Sequence, residues 1–288
     1  MNNIFPLLFV ILWSSAFITS KVIVDNASPF ASLSFRFAIV AIGFLIFSTY
    51  LKEKINVSIK QILESCFSGI LFHGLYLGGV FYAISEGLSP SITALIVSMQ
   101  PIFTNILAGP ILNEKITWKQ WIGISLAFIG VIMVLGYDIG DNIPIIGLIS
   151  SFIALLGGTI ATIWQKKISG KLHLSVNNFY QAIGAFVFLS FSMIVIEQPY
   201  IIFNYNFIWA MVWQIVAVSF GAFTILMYLI KINSASKTSN LYFLIPPVSA
   251  LMAWIFLKEV FTLYDFYGLL ICSSGVYIAT RNEKLYNT

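Results

Sequence analysis

Long apolar runs dominate this chain, and short polar or Pro/Gly-containing breaks separate them. Each run is about 20 residues long, which is enough for a helix to cross a bilayer. The pattern predicts an all-α integral membrane protein with ten transmembrane helices. Their predicted bounds, in chain order, are Ile4–Val24, Pro29–Leu51, Leu63–Glu86, Ser89–Leu112, Trp118–Gly136, Ile143–Trp164, Leu174–Glu197, Phe207–Lys231, Thr238–Leu257 and Thr262–Thr280.

The second half of the chain repeats the first in a single register. With a shift of 145 residues, Lys21 falls on Lys166 and Glu114 falls on Glu259. The ungapped register runs from the first apolar segment to the last, which indicates an internal duplication. We therefore expect two five-helix repeats, 1–140 and 141–288. Because five is odd, the second repeat starts on the opposite side of the membrane, so the repeats are inverted, with a substrate path expected between them.

The basic residues predict the orientation of the spans. With the N-terminus placed in the cytoplasm, twelve of the fifteen lysines and arginines fall in cytoplasmic segments. Only Lys21 and Lys258 fall outside, and Arg36 lies within a span. Positive residues accumulate on the cytoplasmic side of membrane proteins. The distribution therefore predicts a multi-pass protein of the plasma membrane with both termini in the cytoplasm.

Composition supports a membrane protein and excludes several functions. The chain is 59% hydrophobic and 9% charged, whereas soluble domains carry about 25% charged residues. Its basic residues are not interleaved with aromatics, so the lipid bilayer and a small-molecule substrate are the expected partners, and nucleic acid is not. Cys66 and Cys272 lie inside apolar runs, without the spacing of a metal site or a disulfide framework. We expect no metal and no cofactor.

Arg36 is a charged residue about seven positions into the second span. A charge inside a membrane is costly unless it meets a partner or a wet cavity. One interpretation is a cavity or gate residue that faces an anionic group of the substrate. The alternative is an arginine that reaches the outer interface or caps neighbouring carbonyls near Glu86. At the corresponding position the second repeat carries Gln181.

Pro101 and Pro246 interrupt the fourth and ninth helices at matching positions. A proline removes a backbone donor, and interrupted helices at equivalent positions of two repeats are a pointer to a transport site. A structural kink is the alternative interpretation. Gln100 adds a polar group beside the first of these prolines.

His73 and Tyr76 are spaced to share one face of the third helix. His73 could relay a coupling proton, or it could form a hydrogen bond between helices. Trp13, Ser14 and Phe17 form a similar patch on the first helix, and Thr159 lies on its repeat mate. Aromatic residues in such a patch could line a cavity, or they could pack against helices and lipid.

Glu114 and Glu259 are repeat mates, and inverted repeats place them on opposite faces of the membrane. They cannot act together as an acid and a base. Each precedes a threonine by three residues at a helix start, so we interpret each as a cap of the helix that follows it. Glycines recur at intervals of seven in the fifth and tenth helices, which predicts close helix packing there.

These features, in this order and twice over, resemble the repeat signature of the drug/metabolite transporter superfamily, EamA-type. The resemblance implies a ten-helix inverted-repeat carrier of small metabolites such as amino acids or their derivatives, often outward. The second repeat departs from the first at Gln181 and at the doubled proline after Ile245. The residues that carry the resemblance are Trp13, Lys21, Arg36, Phe37, Ser91–Ala94, Pro101, Asn113, Glu114, Thr117, Gly123 and Gly130, then Thr238, Pro246, Lys258, Glu259, Thr262, Gly268 and Gly275.

A secondary carrier, most simply an exporter, is therefore the leading hypothesis, with a channel or uniport facilitator as the alternative. The chain has no phosphate-binding loop for ATP and no clustered catalytic groups, so an enzyme is not expected. We expect a path lined by helices one, three, four, six, eight and nine. The predicted substrate-binding residues are Trp13, Ser14, Phe17, Arg36, His73, Tyr76, Gln100, Pro101, Thr159, Gln181, Tyr242 and Pro246.

Overall fold

The computed structural model describes residues 4–88, 90–135, 144–252, 254–255 and 262–280, which form a bundle of helices. Seven helices in this described part are long and apolar enough to cross a membrane. The count of ten spans remains a prediction. The helical runs, numbered in chain order, are α1 Ile4–Val24, α2 Pro29–Tyr50, α3 Ile59–Ser85, α4 in two segments Pro90–Ser98 and Gln100–Leu112, α5 Trp118–Leu135, α6 Ile145–Ile168, α7 Leu174–Ile196, α8 Tyr205–Ile232, α9 in three segments Ala235–Ser239, Asn240–Leu244 and Ile245–Met252, and α10 Leu263–Thr280.

The observed bounds follow the apolar runs and depart from them where polar residues cap a helix. Helix α3 begins at Ile59, four residues before the predicted start, because Ser58 and Gln61 form a capping box. Helix α6 runs on to Ile168, since Lys166 and Lys167 suit the negative end of a helix dipole. The apolar pattern alone does not predict the first or last turn of a helix where that turn consists of polar residues.

Repeat mates pack against each other as antiparallel pairs. Near the start of α2, the Ser34 hydroxyl oxygen lies 2.6 Å from the hydroxyl oxygen of Ser190, which is in the last third of α7. At the opposite end, the Tyr180 hydroxyl of α7 donates to the carbonyl of Ile55, 2.9 Å away. Helices α5 and α10 form the same kind of pair, as the predicted glycine spacing requires. Mates that run in opposite directions are the geometry expected of an inverted repeat.

The two repeats also exchange their first helices. Helix α1 packs against α8 and α9 of the second repeat, whereas α6 packs against α3 and α4 of the first. Each of these contacts is the counterpart of another under the 145-residue shift, as a two-fold relation between the repeats demands. The centre of the bundle is therefore built from both halves.

Four local irregularities occur at matching positions. Helix α4 breaks at Met99, just before Pro101, and α9 is a 3₁₀ helix over Asn240–Leu244, just before Pro246. Helices α3 and α8 each contain a π-helical stretch, Ile70–Leu77 and Gln214–Ala222. π-Helical geometry is rare and is often found at functional sites. The irregular backbone thus concentrates on α3, α4, α8 and α9, four of the six helices expected to line the path.

Candidate functional site

A cluster of aromatic side chains occupies the middle of the bundle between α1, α3 and α9. The ring of Trp13 lies 5.3 Å from that of Phe9, 5.9 Å from Tyr242 and 6.3 Å from Tyr76, between ring centres. All four side chains are buried. The cluster borders a narrow cavity of about 20 Å³, wide enough for about one water molecule. Trp13, Phe17, Tyr76 and Gln214 are among the residues that line it.

Unpaired polar atoms lie against this cluster. The Gln100 amide nitrogen donates to the carbonyl of Gly158, 3.2 Å away, and to the Thr162 hydroxyl, 3.0 Å away. The Gln100 Oε1 and the Tyr242 hydroxyl are both buried without a hydrogen bond of good geometry, although the two side chains lie close enough to interact with each other. Buried polar groups are normally paired, so these two atoms are able to accept or donate a bond to a bound molecule. They add polar binding capacity next to the aromatic cluster, although Gln100 and Tyr242 are not among the residues that line the cavity itself.

Gly158 of α6 permits this arrangement. A Cβ at this position would lie 2.7 Å from the Gln100 carbonyl oxygen and 2.8 Å from the Tyr76 ring. A larger residue would displace these two side chains from their positions against the helix.

Arg36 is 2% exposed and joins α2 to α8. Its Nε donates to the Ser219 hydroxyl at 2.9 Å, and its Nη1 donates to the side-chain Oε1 of Gln214 at 2.6 Å. Both partners are neutral and lie in the π-helical stretch of α8. The alternative interpretation, an arginine that reaches the outer interface or caps neighbouring carbonyls near Glu86, is wrong, because neighbouring side chains enclose the guanidinium and supply its bonds.

His73 and Tyr76 do not share a face, contrary to the prediction from their spacing. The His73 ring is held between Phe37 and Phe223, each 4.3 Å away between ring centres, whereas Tyr76 points to the Trp13 cluster. The π-helical stretch has more residues per turn than an α-helix, so a spacing of three no longer aligns the side chains. His73 is therefore packed beside the cluster, and its Nδ1 is buried without a partner.

Ser14 is bonded to the backbone of α9 beside Pro246. The Ser14 hydroxyl donates to the carbonyl of Ile245 at 3.2 Å, next to Pro246. The Asn105 amide fulfils the corresponding role on α4 by donating to the carbonyl of Pro101 at 2.7 Å. Carbonyls near a helix interruption are thus bonded by side chains, as required away from water.

Thr159 and Gln181, like Arg36 and His73, lie outside the aromatic cluster. The Thr159 hydroxyl donates to the carbonyl of Leu155 in its own helix, 2.8 Å away. The Gln181 side-chain amide nitrogen donates to the side-chain Oε1 of Gln165 at 3.1 Å. The Ser68 hydroxyl donates to the same oxygen. Gln181 therefore belongs to a separate network between α3, α6 and α7.

Three contributors were missed by the sequence analysis. Gln214 stands out in retrospect as an amide within the apolar run of α8, a signal of the same kind as Gln100 in α4. Gly158 and the π-helical stretches have no such signal, because glycines are frequent in membrane helices and backbone register depends on tertiary contacts.

Glu114 caps a different helix from the one predicted. Its carboxylate accepts from the backbone nitrogens of Ala235 and Ser236, at 2.7 and 3.1 Å, and so caps the start of α9. The start of α5 is instead capped by Thr117 and Gln120. The prediction of a local cap is wrong because a carboxylate satisfies free helix donors wherever the fold presents them. Glu259 lies outside the described residues.

Wide depressions occur at both ends of the bundle. One, of about 570 Å³, lies where α1 ends and includes Lys21, Asp25, Glu86 and Glu197 in its lining. The other, of about 560 Å³, lies near the end of α2 and includes Lys54, Lys171 and His173. Both hold charged groups, in contrast to the apolar centre. No group of three or more metal-ligating side chains occurs within the described residues.

Comparison with known proteins gives consistent matches over the length of the chain. The model of the EamA-like transporter family matches residues 2–136 and again 145–281. The uncharacterized transporter YoaV of Bacillus subtilis is 22% identical over 276 residues, covering 94% of this chain and 93% of its own. A probable amino-acid metabolite efflux pump of Salmonella typhimurium is 24% identical over 297 residues, covering 100% and 97% of the two chains. A crystal structure at 13% identity matches with a TM-score of 0.79 over 96% of each chain, a likeness of fold.

Proposed function

This chain belongs to the EamA-like transporter family, and we propose that it is a secondary carrier that exports a small metabolite such as an amino acid or a derivative. The resemblance stated from the sequence is confirmed by the family match over both repeats. The proposal includes the finer architecture: ten spans, divided into inverted repeats 1–140 and 141–288. It also includes a location in the plasma membrane with both termini in the cytoplasm. Antiparallel repeat mates and the distribution of basic residues support these points.

The substrate site that we propose is the narrow central cavity. The observation that carries it is the meeting of Trp13, Tyr76 and Tyr242 with the unpaired carbonyl oxygen of Gln100, beside two interrupted helices from opposite repeats. Small-molecule sites are concave and mainly apolar, with a few convergent polar groups. Such a site favours a small substrate with a sizeable uncharged part. Rearrangement of the irregular helices would widen it, as alternating access requires.

Arg36 supplies a buried positive charge near this cavity in our proposal, and it binds an anionic group of the substrate. Guanidinium groups bind carboxylates with two parallel hydrogen bonds. His73, by contrast, is held between two phenylalanine rings, which favours packing over a role in proton coupling. A coupling proton is therefore the less favoured form of the carrier hypothesis.

A transport assay separates the carrier from a channel. Purified protein in proteoliposomes should show saturable uptake of a labelled amino acid that rises when the same amino acid is enclosed in the vesicles. Uptake that is linear with concentration and indifferent to internal substrate would support the channel alternative. A thermal-shift panel of the twenty amino acids selects the label, because a ligand that binds the folded state raises its melting temperature.

Labelling tests the location of the path. In a background with Cys66→Ala and Cys272→Ala, a Phe17→Cys variant should react with a membrane-impermeant thiol reagent, and added substrate should protect it. Ile129→Cys is the matched control, because this exposed residue of α5 should face lipid. Reaction at position 129 with none at position 17 would contradict the proposed path.

Labelling of a tag at the C-terminus tests the orientation. We expect labelling only after the cells are permeabilised, and labelling of intact cells would overturn the proposed topology.

A further inference from the structure

The charge of Arg36 is bonded only to neutral groups within the described part of the chain. Its two hydrogen bonds go to the side-chain Oε1 of Gln214 and the hydroxyl of Ser219. A buried guanidinium with neutral partners keeps most of its desolvation cost, whereas a carboxylate partner offsets that cost by Coulomb attraction. The network thus retains a strong attraction for an anion.

The orientation of the Gln214 amide follows from its neighbours. Its nitrogen donates to the carbonyl of Ala16 at 2.9 Å and to the hydroxyl of Thr19 at 2.8 Å, while its oxygen accepts from Arg36. The reverse orientation would place the amide hydrogens against the guanidinium. Gln214 therefore ties α1 and α2 to α8 through one side chain.

Gln214 also lines the central cavity, together with Trp13 and Tyr76. Arg36 is bonded to Gln214 but does not line that cavity itself. A molecule in the cavity therefore meets Gln214 before it can reach Arg36. Movement of this one amide would connect the aromatic cavity with the buried charge.

We propose that the side-chain Oε1 of Gln214 occupies the site beside the Arg36 guanidinium that a substrate carboxylate takes. The carboxylate displaces the amide, binds the guanidinium with both oxygens and breaks the link between α8 and α1. Gln214 is thus a specificity-determining residue that selects carboxylate-bearing substrates, and its displacement couples binding to movement between the two repeats. The inference rests on the proposed binding of an anionic group by Arg36.

The π-helical geometry of α8 is consistent with such a movement. The stretch begins at Gln214 and contains Ser219, so both partners of Arg36 lie on it. A π-helical stretch is bonded less regularly than an α-helix, and a change of register there rotates the side chains along it. Displacement of Gln214 therefore requires a local change in α8 and leaves the rest of the bundle in place.

The test uses full-length protein in detergent and compares amino acids with their α-carboxamides, which keep the ammonium group and lack the carboxylate. For each pair, melting temperatures over a range of ligand concentrations give the apparent affinity. Gln214→Glu places a carboxylate beside Arg36, so it should weaken binding of the amino acid by at least about tenfold and should not weaken binding of the amide. Gln214→Met has a similar size and no charge, and it should bind the amino acid as well as the wild type or better.

The inference would be overturned if Gln214→Glu weakened the binding of the amino acid and of the amide equally. It would also be overturned if Gln214→Met lost as much affinity for the amino acid as Gln214→Glu. If no amino acid or amide stabilises the wild type, the proposed substrate class fails. The inference is then decided by the melting temperatures of the variants alone. Gln214→Glu should be tolerated with Arg36 present and should destabilise the Arg36→Gln variant, whereas equal effects in both backgrounds would overturn it.

Discussion

Arg36 and Gln181 occupy the same position in the two repeats, two turns after the start of α2 and of α7, yet they take part in different chemistry. Arg36 brings a positive charge to α8 and bonds to a glutamine and a serine there. Gln181 bonds to Gln165 of α6 and lies against the sulfur of Met227. The backbone repeat is therefore the same in both halves, while the charge is present in one half only.

The α5–α10 pair differs, because there the residues at the contact are the same in both repeats. Gly123 faces Gly275, and their mates Gly268 and Gly130 face each other in the same way. Close contact between these helices requires glycine at the contact positions, and both repeats have kept it there. A binding site for an asymmetric molecule needs different groups on its two sides, and this is where the halves diverge.

The largest effect is expected from a substitution in the symmetric region, the α5–α10 pair. In Gly275→Val, the added side chain would overlap the backbone nitrogen of Ala127 and the carbonyl oxygen of Gly123, neither of which can move alone. We expect loss of most folded protein, measured as the monodisperse fraction after purification, since overpacking costs about 1–3 kcal/mol even where side chains can adjust. Gly109→Ala is the control, because a Cβ there would meet only the Glu114 carbonyl oxygen at 3.8 Å. Equal yields from the two variants would show that α5 and α10 need not touch.

The second prediction makes the asymmetric position symmetric. Arg36→Gln reproduces the residue of the other repeat, so the fold should persist while binding of a carboxylate-bearing ligand falls. A hydrogen bond to a charged group contributes about 1.5–3 kcal/mol, which corresponds to about 10–100-fold in affinity. Ligand titrations monitored by melting temperature measure the loss. Loss of folded protein without a specific binding defect would instead favour a structural role for Arg36.

The sequence was sufficient for the parts of the molecule that follow from apolar length and from the repeat. It predicted α1 to the residue, the position of the breaks before Pro101 and Pro246, and the glycine packing of α5. It did not predict the π-helical stretches, which depend on contacts across the bundle. This explains why the alignment of His73 with Tyr76 was wrong: a period of 3.6 was applied to a segment with a longer one.

The partner of Glu114 was also beyond sequence reasoning. Helix-capping rules identify the chemistry that a carboxylate can perform, but they search near it in the chain. The donors that it meets belong to Ala235 and Ser236, more than 100 residues away. Contacts between repeats of this kind become visible only in three dimensions.

The third prediction concerns the centre of the bundle. Gly158→Ala adds a methyl group against the Gln100 side-chain Oε1 and the Cδ2 atom of the Tyr76 ring, both of which are side-chain atoms. Because no backbone atom is obstructed, the fold should remain intact, while the displaced side chains narrow the cavity and slow exchange by about tenfold. Exchange in proteoliposomes is the measurement, and Gly109→Ala again serves as the control. Normal exchange by Gly158→Ala would remove Gln100 and Tyr76 from the proposed site.

The smallest effect is expected at His73, whose mate in the second repeat is Val218. The imidazole is held between Phe37 and Phe223, and its Nδ1 has no hydrogen-bond partner. A phenyl ring fills nearly the same space and removes an unpaired polar atom, so His73→Phe should leave the melting temperature almost unchanged. A packing role also predicts that exchange keeps its dependence on an imposed pH gradient, whatever that dependence is in the wild type. If the variant exchanges substrate normally but loses accumulation driven by a proton gradient, His73 carries the coupling proton, and the asymmetry between the repeats would then extend from binding to energy coupling.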